Sequence, residues 1–365
     1  MRKTGVSDLP LHGGKCPPWL FARMKRLGGV ISEIILDEYG HDEFLRRLSD
    51  PYFFQAFGCV LGFDWHSSGL TVTTLGALKE AVNSRELGIA VCGGKGRASR
   101  RTPDEIEGFA DSLSLSTNKT EGLVYASRVS ARVDNAALQD GYQLYHHCFI
   151  FTEKGKWAVV QQGMNPGNRY ARRYHWLSSD VRSFVNEPHE GIACDRREED
   201  VLNMVSKDSG KAREASVDIV KDNPNRLSKL LTGQSTLADF AGQVRRLHMP
   251  KSHYIISMDK RNLESLQRAH EIQPENYEAL LGIEGIGPKS VRALALISEL
   301  VYGKPASWQD PVKFSFSHGG KDGIPYPVDR KVYDKSVEVL RTGIEQARMG
   351  SRERLQALKR LEGFF

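Results

Sequence analysis

Apolar residues recur at three- and four-residue steps through "PPWLFARMKRL", "DEFLRRL", "PYFFQAFGCVLGF" and "TTLGALKEAV", which predicts mostly helical structure from Pro17 to about Val82. Gly28-Gly29, Gly40 and Asp50-Pro51 are expected to punctuate it. The stretch "IAVCGGKGRASRRTPDEI" then reads as a short apolar run, a glycine-rich basic loop and a helix start, with Thr102 as cap and Pro103 in the first turn. Helical spacing continues to about Val133. There the period changes: "YQLYHHCFIFT" and "KWAVVQQGM", joined by Glu153-Lys154-Gly155-Lys156, predict a β-hairpin. Residues from about Val201 to Thr232 read as polar helix and "HMPKSHYIIS" as a connector; the remainder is helical with one glycine-rich interruption, "SFSHGGKDGIPYP". The expected fold is mainly α with a small mixed α/β region and a C-terminal helix-hairpin-helix region. Its parts are 1–135, mostly helical; 136–258, mixed α/β; and 259–365, helical with the hairpin.

Composition narrows the class. At 365 residues the chain exceeds the usual size of one domain, and 40% apolar with 26% charged residues describes a soluble globular protein. The N-terminal "MRKTGVSDLPLHGGKCPPWL" lacks the apolar run of a signal peptide and no span reads as a membrane helix, so a cytosolic location is expected. Cys16, Cys59, Cys92, Cys148 and Cys194 stand singly, with no C-x-x-C pair, which argues against a disulfide framework, a zinc ribbon or an iron–sulfur cluster. The net charge of +6 suits a nucleic-acid partner without by itself deciding for one.

Two stretches concentrate positive charge. Lys95, Arg97, Arg100 and Arg101 lie in the glycine-rich loop and are candidates for phosphate contacts. In "NRYARRYHWL", Arg169, Arg172 and Arg173 alternate with Tyr170, Tyr174, His175 and Trp176. That mixture fits a surface that meets phosphates and unstacked bases, and it equally fits an amphipathic segment with core aromatics and solvated arginines.

Further on stands "LLGIEGIGPKSVRAL". A tight Gly285-Ile286-Gly287 turn exposes backbone N–H groups at the start of a following helix, where an anionic phosphate is favoured. Tyr277, Leu280 and Leu281 give the first helix an apolar face, and Val291, Leu294, Ala295 and Val301 give one to the second. Pro288 suits the first turn of that second helix and Gly303 its end.

Past the second helix comes "GIPYPVDRKVYDKSVEVL". The pairing of G-h-G-x-K-[ST] with a later P-V-D-R resembles the helix-hairpin-helix DNA glycosylase superfamily, particularly its endonuclease III-like bifunctional members, over about residues 259 to 345. The resemblance implies Lys289 as the amine that attacks the sugar and Asp329 as the carboxylate that assists. It implies double-stranded DNA bearing a damaged base or an abasic site as partner and oxidised or deaminated pyrimidines such as 5-hydroxyuracil as lesions; the cluster cysteines of many endonuclease III-like enzymes are absent, and the residues themselves give no sign of a cofactor, a metal site or a membrane partner. The positive end of a helix dipole and partial burial both favour the neutral, nucleophilic form of an amine. Asp329 is also a good N-cap for the helix through Tyr333, Val337, Leu340 and Ile344. The sequence departs from the family pattern at Ile283-Glu284, where Leu-Pro is usual, at Val291, and in the longer interval between Lys289 and Asp329. Over the whole chain, "TGVSDLPLHGGKCPPWL", "DWHSSGLT", "DGYQLYHH" and "ARRYHWLS" resemble a prokaryotic, largely archaeal family of unknown function.

Two other classes stand beside this reading. A metal-dependent nuclease would draw ligands from Asp64, His66, His146, His147 and His175, although adjacent strand residues face opposite ways and His146 and His147 cannot readily share one ion. A non-catalytic binding module would use Lys289 and the arginines for the DNA backbone alone, with steep salt dependence. For a pocket wall that stacks an extruded base, Trp65 and Trp176 are the aromatic candidates.

Overall fold

The computed structural model describes residues 16–63, 68–194, 196–222 and 260–312, together with residues 341, 342, 345, 355, 358 and 359. Asp329, Asp64, Trp65 and His66 lie outside the described residues.

The first helices are α1 (Pro18–Ser49), α2 (Pro51–Val60) and α3 (Gly69–Val82). Gly28-Gly29 does not interrupt α1. A Cβ on Gly29 would sit 2.8 Å from the Arg85 guanidinium, so the pair serves close packing rather than a break. The kink falls at Gly40, whose φ of 80° is open to glycine and strained for other residues. Asp50 ends α1 and starts α2, its carboxylate accepting from the N–H groups of Tyr52 and Phe53.

Strand β1 (Ile89–Lys95) leads through α4 (Arg97–Arg100), α5 (Thr102–Ser112) and α6 (Thr117–Arg132) into a π-helical turn, Val133–Ala137. Thr102 does not cap α5. It is buried, and its hydroxyl donates to the Ser99 carbonyl. Next come β2 (Leu138–Gln139), β3 (Gln143–Thr152), β4 (Trp157–Asn165), β5 (Tyr170–Leu177), β6 (Gly191–Ala193) and β7 (Leu202–Asn203). The expected β3–β4 hairpin is present, with Phe151 opposite Trp157.

Strands β1, β3, β4, β5 and β6 form one antiparallel sheet in that order, so the sheet crosses the boundary expected at residue 135. Helices cover both of its faces. Val91, Cys148, Ile150, Ala158, Val160 and Leu177 pack under α1 to α3. Cys92, Phe149, Phe151, Val159 and Trp176 pack in a second core with α5 and α6. A strand buried on both faces reads as a nearly continuous apolar run, which is why "CFIF" and "WAVV" lack clean alternation.

The region from Val201 also departs from the helical expectation. Val201 to Val205 are buried, and β7 pairs with β2 through Leu138–Asn203 and Gln139–Leu202 before α7 (Gly210–Lys221) begins. Three further helices, α8 (Lys260–Ile272), α9 (Tyr277–Gly282) and α10 (Pro288–Tyr302), join the α6 side of the molecule, with Leu266, Leu280, Leu281, Val291 and Leu294 buried in its core. The chain is mainly helical with one mixed region, and the sheet of that region lies at its centre.

Candidate nucleic-acid interface

The glycine turn joins α9 to α10. Asn276 caps α9 by accepting from the Ala279 N–H, and the chain then turns at Ile283–Gly287, with the Ile286 N–H donating to the Ile283 carbonyl. Gly285 has φ +89°, and a Cβ there would lie 2.1 Å from Ser265 Oγ, so both backbone and neighbour demand glycine. Gly287 is extended and is the N-cap of α10, with Pro288 in the first turn. Ile286 turns into the core, 6% exposed, while Gly285 and Lys289 are exposed. The partial burial expected of Lys289 is therefore corrected: the residue is exposed, in the first turn of α10.

Polar contacts fasten this turn to the rest of the fold. Arg132 Nη1 donates to the carbonyls of Leu281 at 2.6 Å and Ile283 at 3.2 Å. Gln139 Nε2 donates to the carbonyls of Ala136 and Pro288, and its Oε1 accepts from Arg292 Nε at 2.9 Å. Tyr125 on α6 donates to Glu278 on α9. The N-terminus of α10 is thus held in a set position relative to the π-turn and β2.

The π-turn has its own anchor. Asp134 is fully buried and accepts from Gln161 Nε2, Trp176 Nε1 and His189 Nε2, at 2.6, 2.9 and 2.5 Å. His147 extends the network. Its Nδ1 lies 2.9 Å from Gln161 Oε1 and its Nε2 2.9 Å from Ser127 Oγ, so in the neutral tautomer Nδ1 donates and Nε2 accepts. Burial pulls the His147 imidazole down to about 4, with the Gln161 bond opposing it. Ser127 is itself 2% exposed, so this string fixes the sheet against α6 rather than offering a nucleophile. A π-turn adds a residue to a helical turn and turns neighbouring side chains to new directions. Here Asp134 goes inward while Asn135 is exposed.

Between the π-turn and α10 opens a cavity of about 800 Å³. Asn135, Gln139 and Tyr142 line one side, Pro288 and Arg292 another, and the Arg196–Asp200 segment a third.

The other expected contacts divide. Lys95, Arg97, Arg100 and Arg101 are all exposed around α4, and Lys95 lies over the Tyr145 ring at 5.7 Å. Arg172 and Arg173 are not surface groups, which corrects their assignment to DNA. Both are 0% exposed, because "YARRYHWL" is an inner strand of a sheet covered on both faces. Arg172 pairs with Asp140 and Asp310. Burial opposes its charge, but the two carboxylates outweigh that and hold the guanidinium firmly protonated. Removing one partner of such a buried cluster typically costs about 3–5 kcal/mol. Arg173, on the opposite face, donates to His175 Nε2, Thr71 Oγ1 and the Pro51 carbonyl, and burial lowers it to about 9. Trp176 is also fully buried, with its indole N–H on Asp134, and so provides no stacking wall.

His146 and His147 project to opposite faces as strand geometry requires, and His175 bonds the Leu48 carbonyl. Among the described residues no three His, Cys, Asp or Glu side chains converge as a metal site requires. The five cysteines are unbridged thiols. Asn135, Gln139, Arg132 and Arg292 escape the sequence reading, because nothing in "RVDNAALQ" signals that it meets a turn some 150 positions away, as the Arg132 and Gln139 bonds show.

A family match described as a protein of unknown function spans residues 5–328. The chain belongs to the DUF763 family. No curated protein and no solved structure matches it. Among the described residues of this DUF763 chain, no helix is long and apolar enough to cross a membrane.

Proposed function

We propose that the chain is a cytoplasmic DNA-repair enzyme, a bifunctional DNA glycosylase and abasic-site lyase of helix-hairpin-helix type. Its substrate is duplex DNA carrying an oxidised or deaminated pyrimidine such as 5-hydroxyuracil, and its nucleophile is Lys289. The observation that carries this reading is the junction of α9 and α10: a turn that requires glycine at 285 leads directly into a helix N-terminus bearing the exposed Lys289. The positive end of a helix suits a DNA phosphate beside the damaged nucleotide. The exposed Lys95, Arg97, Arg100 and Arg101 suit the backbone contacts that give such enzymes their salt-dependent affinity.

In the proposed reaction the neutral Lys289 amine attacks C1′, the C1′–N bond breaks, and the base departs with a proton. Opening of the sugar gives an imine between Nζ and C1′. Loss of a proton from C2′ then expels the 3′ phosphate, and water releases the lysine. Asp329, assigned by its motif alone, would accept the lysine proton or stabilise the cationic sugar.

The exposure of Lys289 favours a second reading, a non-catalytic module whose lysine meets only phosphate. One experiment separates the two. The full chain is incubated with a 5-hydroxyuracil or abasic-site duplex, borohydride is added, and covalent adduct is measured with and without EDTA. A metal-independent adduct that disappears in Lys289→Ala is expected. Normal strand cleavage by Lys289→Ala would overturn the lysine mechanism, salt-dependent binding without adduct supports the module, and cleavage that requires added divalent metal supports a nuclease.

A further inference from the structure

We propose that the cavity between the π-turn and α10 receives the extruded pyrimidine, and that the Asn135 carboxamide reads its hydrogen-bonding edge. This rests on the glycosylase reading and adds to it the pocket and the residue that select the base.

Position is the first argument. The cavity is walled by Pro288 and Arg292, which share one face of α10, and Lys289 is the residue next to Pro288. Lys289 and Arg292 are three apart and therefore neighbours on the helix surface. A nucleotide whose sugar reached the Lys289 amine would have its base within reach of this opening. Rigidity is the second. Gln139 bonds both the Pro288 carbonyl and the Arg292 guanidinium, so the α10 wall and the π-turn wall keep a fixed spacing. A volume of about 800 Å³ lies within the range of about 300–1,000 Å³ typical of small-ligand sites.

Chemistry is the third. Asp134 is consumed by its three buried partners, whereas the Asn135 side chain is exposed, lines the cavity and makes no hydrogen bond to the described residues. A carboxamide presents a donor and an acceptor side by side, the complement of the adjacent N–H and C=O of a pyrimidine imide. The remaining wall mixes charge: Arg196 and Arg197 stand next to Glu198, Glu199 and Asp200. Such a wall disfavours a polyanion as occupant and suits a neutral polar heterocycle, while its exposed arginines suit the phosphates on either side.

The test exploits the fact that an abasic site has no base to read. Base excision from a 5-hydroxyuracil duplex is measured in single turnover, and borohydride trapping is measured on a preformed abasic-site duplex, for the wild type, Asn135→Ala and Asn135→Trp. Asn135 is exposed, and matched thermal unfolding establishes that each variant is folded. Excision is expected to fall at least tenfold in Asn135→Ala and further in Asn135→Trp, whose indole obstructs the Asn135 side of the cavity, with trapping on abasic DNA unchanged in both. Unchanged excision in the two variants overturns the pocket while leaving the Lys289 reading intact. An equal fall in excision and trapping also overturns it, because Asn135 would then serve the hairpin rather than the base. If the wild type traps no abasic DNA, the glycosylase reading itself fails and the pocket falls with it.

Discussion

Gly285 and Gly287 look alike in "GIEGIG" but answer to different constraints. At Gly285 the left-handed backbone and the 2.1 Å approach to Ser265 Oγ both exclude a side chain, whereas at Gly287 the backbone is extended and no atom of the described residues lies within 4 Å of a Cβ. Gly285→Ala is expected to lower stability by about 2 kcal/mol or more, and Gly287→Ala by less than about 1 kcal/mol, in urea unfolding. Equal losses would show that backbone conformation is not what selects glycine here. Residue identity was legible at this scale where the motif is local, as for Gly285. It misled at Arg172 and Arg173, since a guanidinium reads as a surface group until a carboxylate pair or a covered sheet face is known to surround it.

At the scale of elements, the helices α1 to α3 and the β3–β4 hairpin follow from short-range periodicity and turn residues, and the structure has them where the pattern predicts. The wider sheet was not legible: β1 joins β3 across α4 to α6, and no local pattern records which strands pair. The α9–α10 pair is likewise a local motif with a non-local anchor. Arg132→Ala would leave the Leu281 and Ile283 carbonyls without this donor, which costs about 1–3 kcal/mol for a charged donor. Hydrogen exchange is expected to quicken in α9 and α10 while β3 and β4 stay protected. Uniform quickening across the chain would instead mean that Arg132 supports the global fold rather than the seat of the hairpin.

For the molecule as a whole, the buried histidines set an acid limit, the two of β3 together with His175, which burial also holds well below the ordinary value. Burial holds His146 down to about 3 and His147 down to about 4, against an ordinary 6.5. Because the folded state keeps both rings neutral, the unfolded chain takes up their protons first. Their contribution is therefore complete above about pH 6.5 and is lost as pH falls towards 4, by about 3 kcal/mol for His147 alone. Melting temperature is expected to fall steeply below about pH 6. In His146→Leu the fall is expected to be shallower, with stability near pH 7 retained, since both ring nitrogens of His146 lack partners among the described residues. An unaltered acid slope in that variant would remove His146 from the account.

By itself the sequence determined the mainly helical character, the β3–β4 hairpin, the glycine turn with its lysine, and the exposed basic loop. These depend on neighbours a few positions apart, the range over which periodicity and backbone preference act. Tertiary structure alone decided that the sheet is covered on both faces, that Arg172 and Arg173 are interior, and that the π-turn meets the first turn of α10 beside an open cavity. Those outcomes rest on burial and on hydrogen bonds such as Gln139 to Pro288, between residues that the chain holds far apart and only folding brings together.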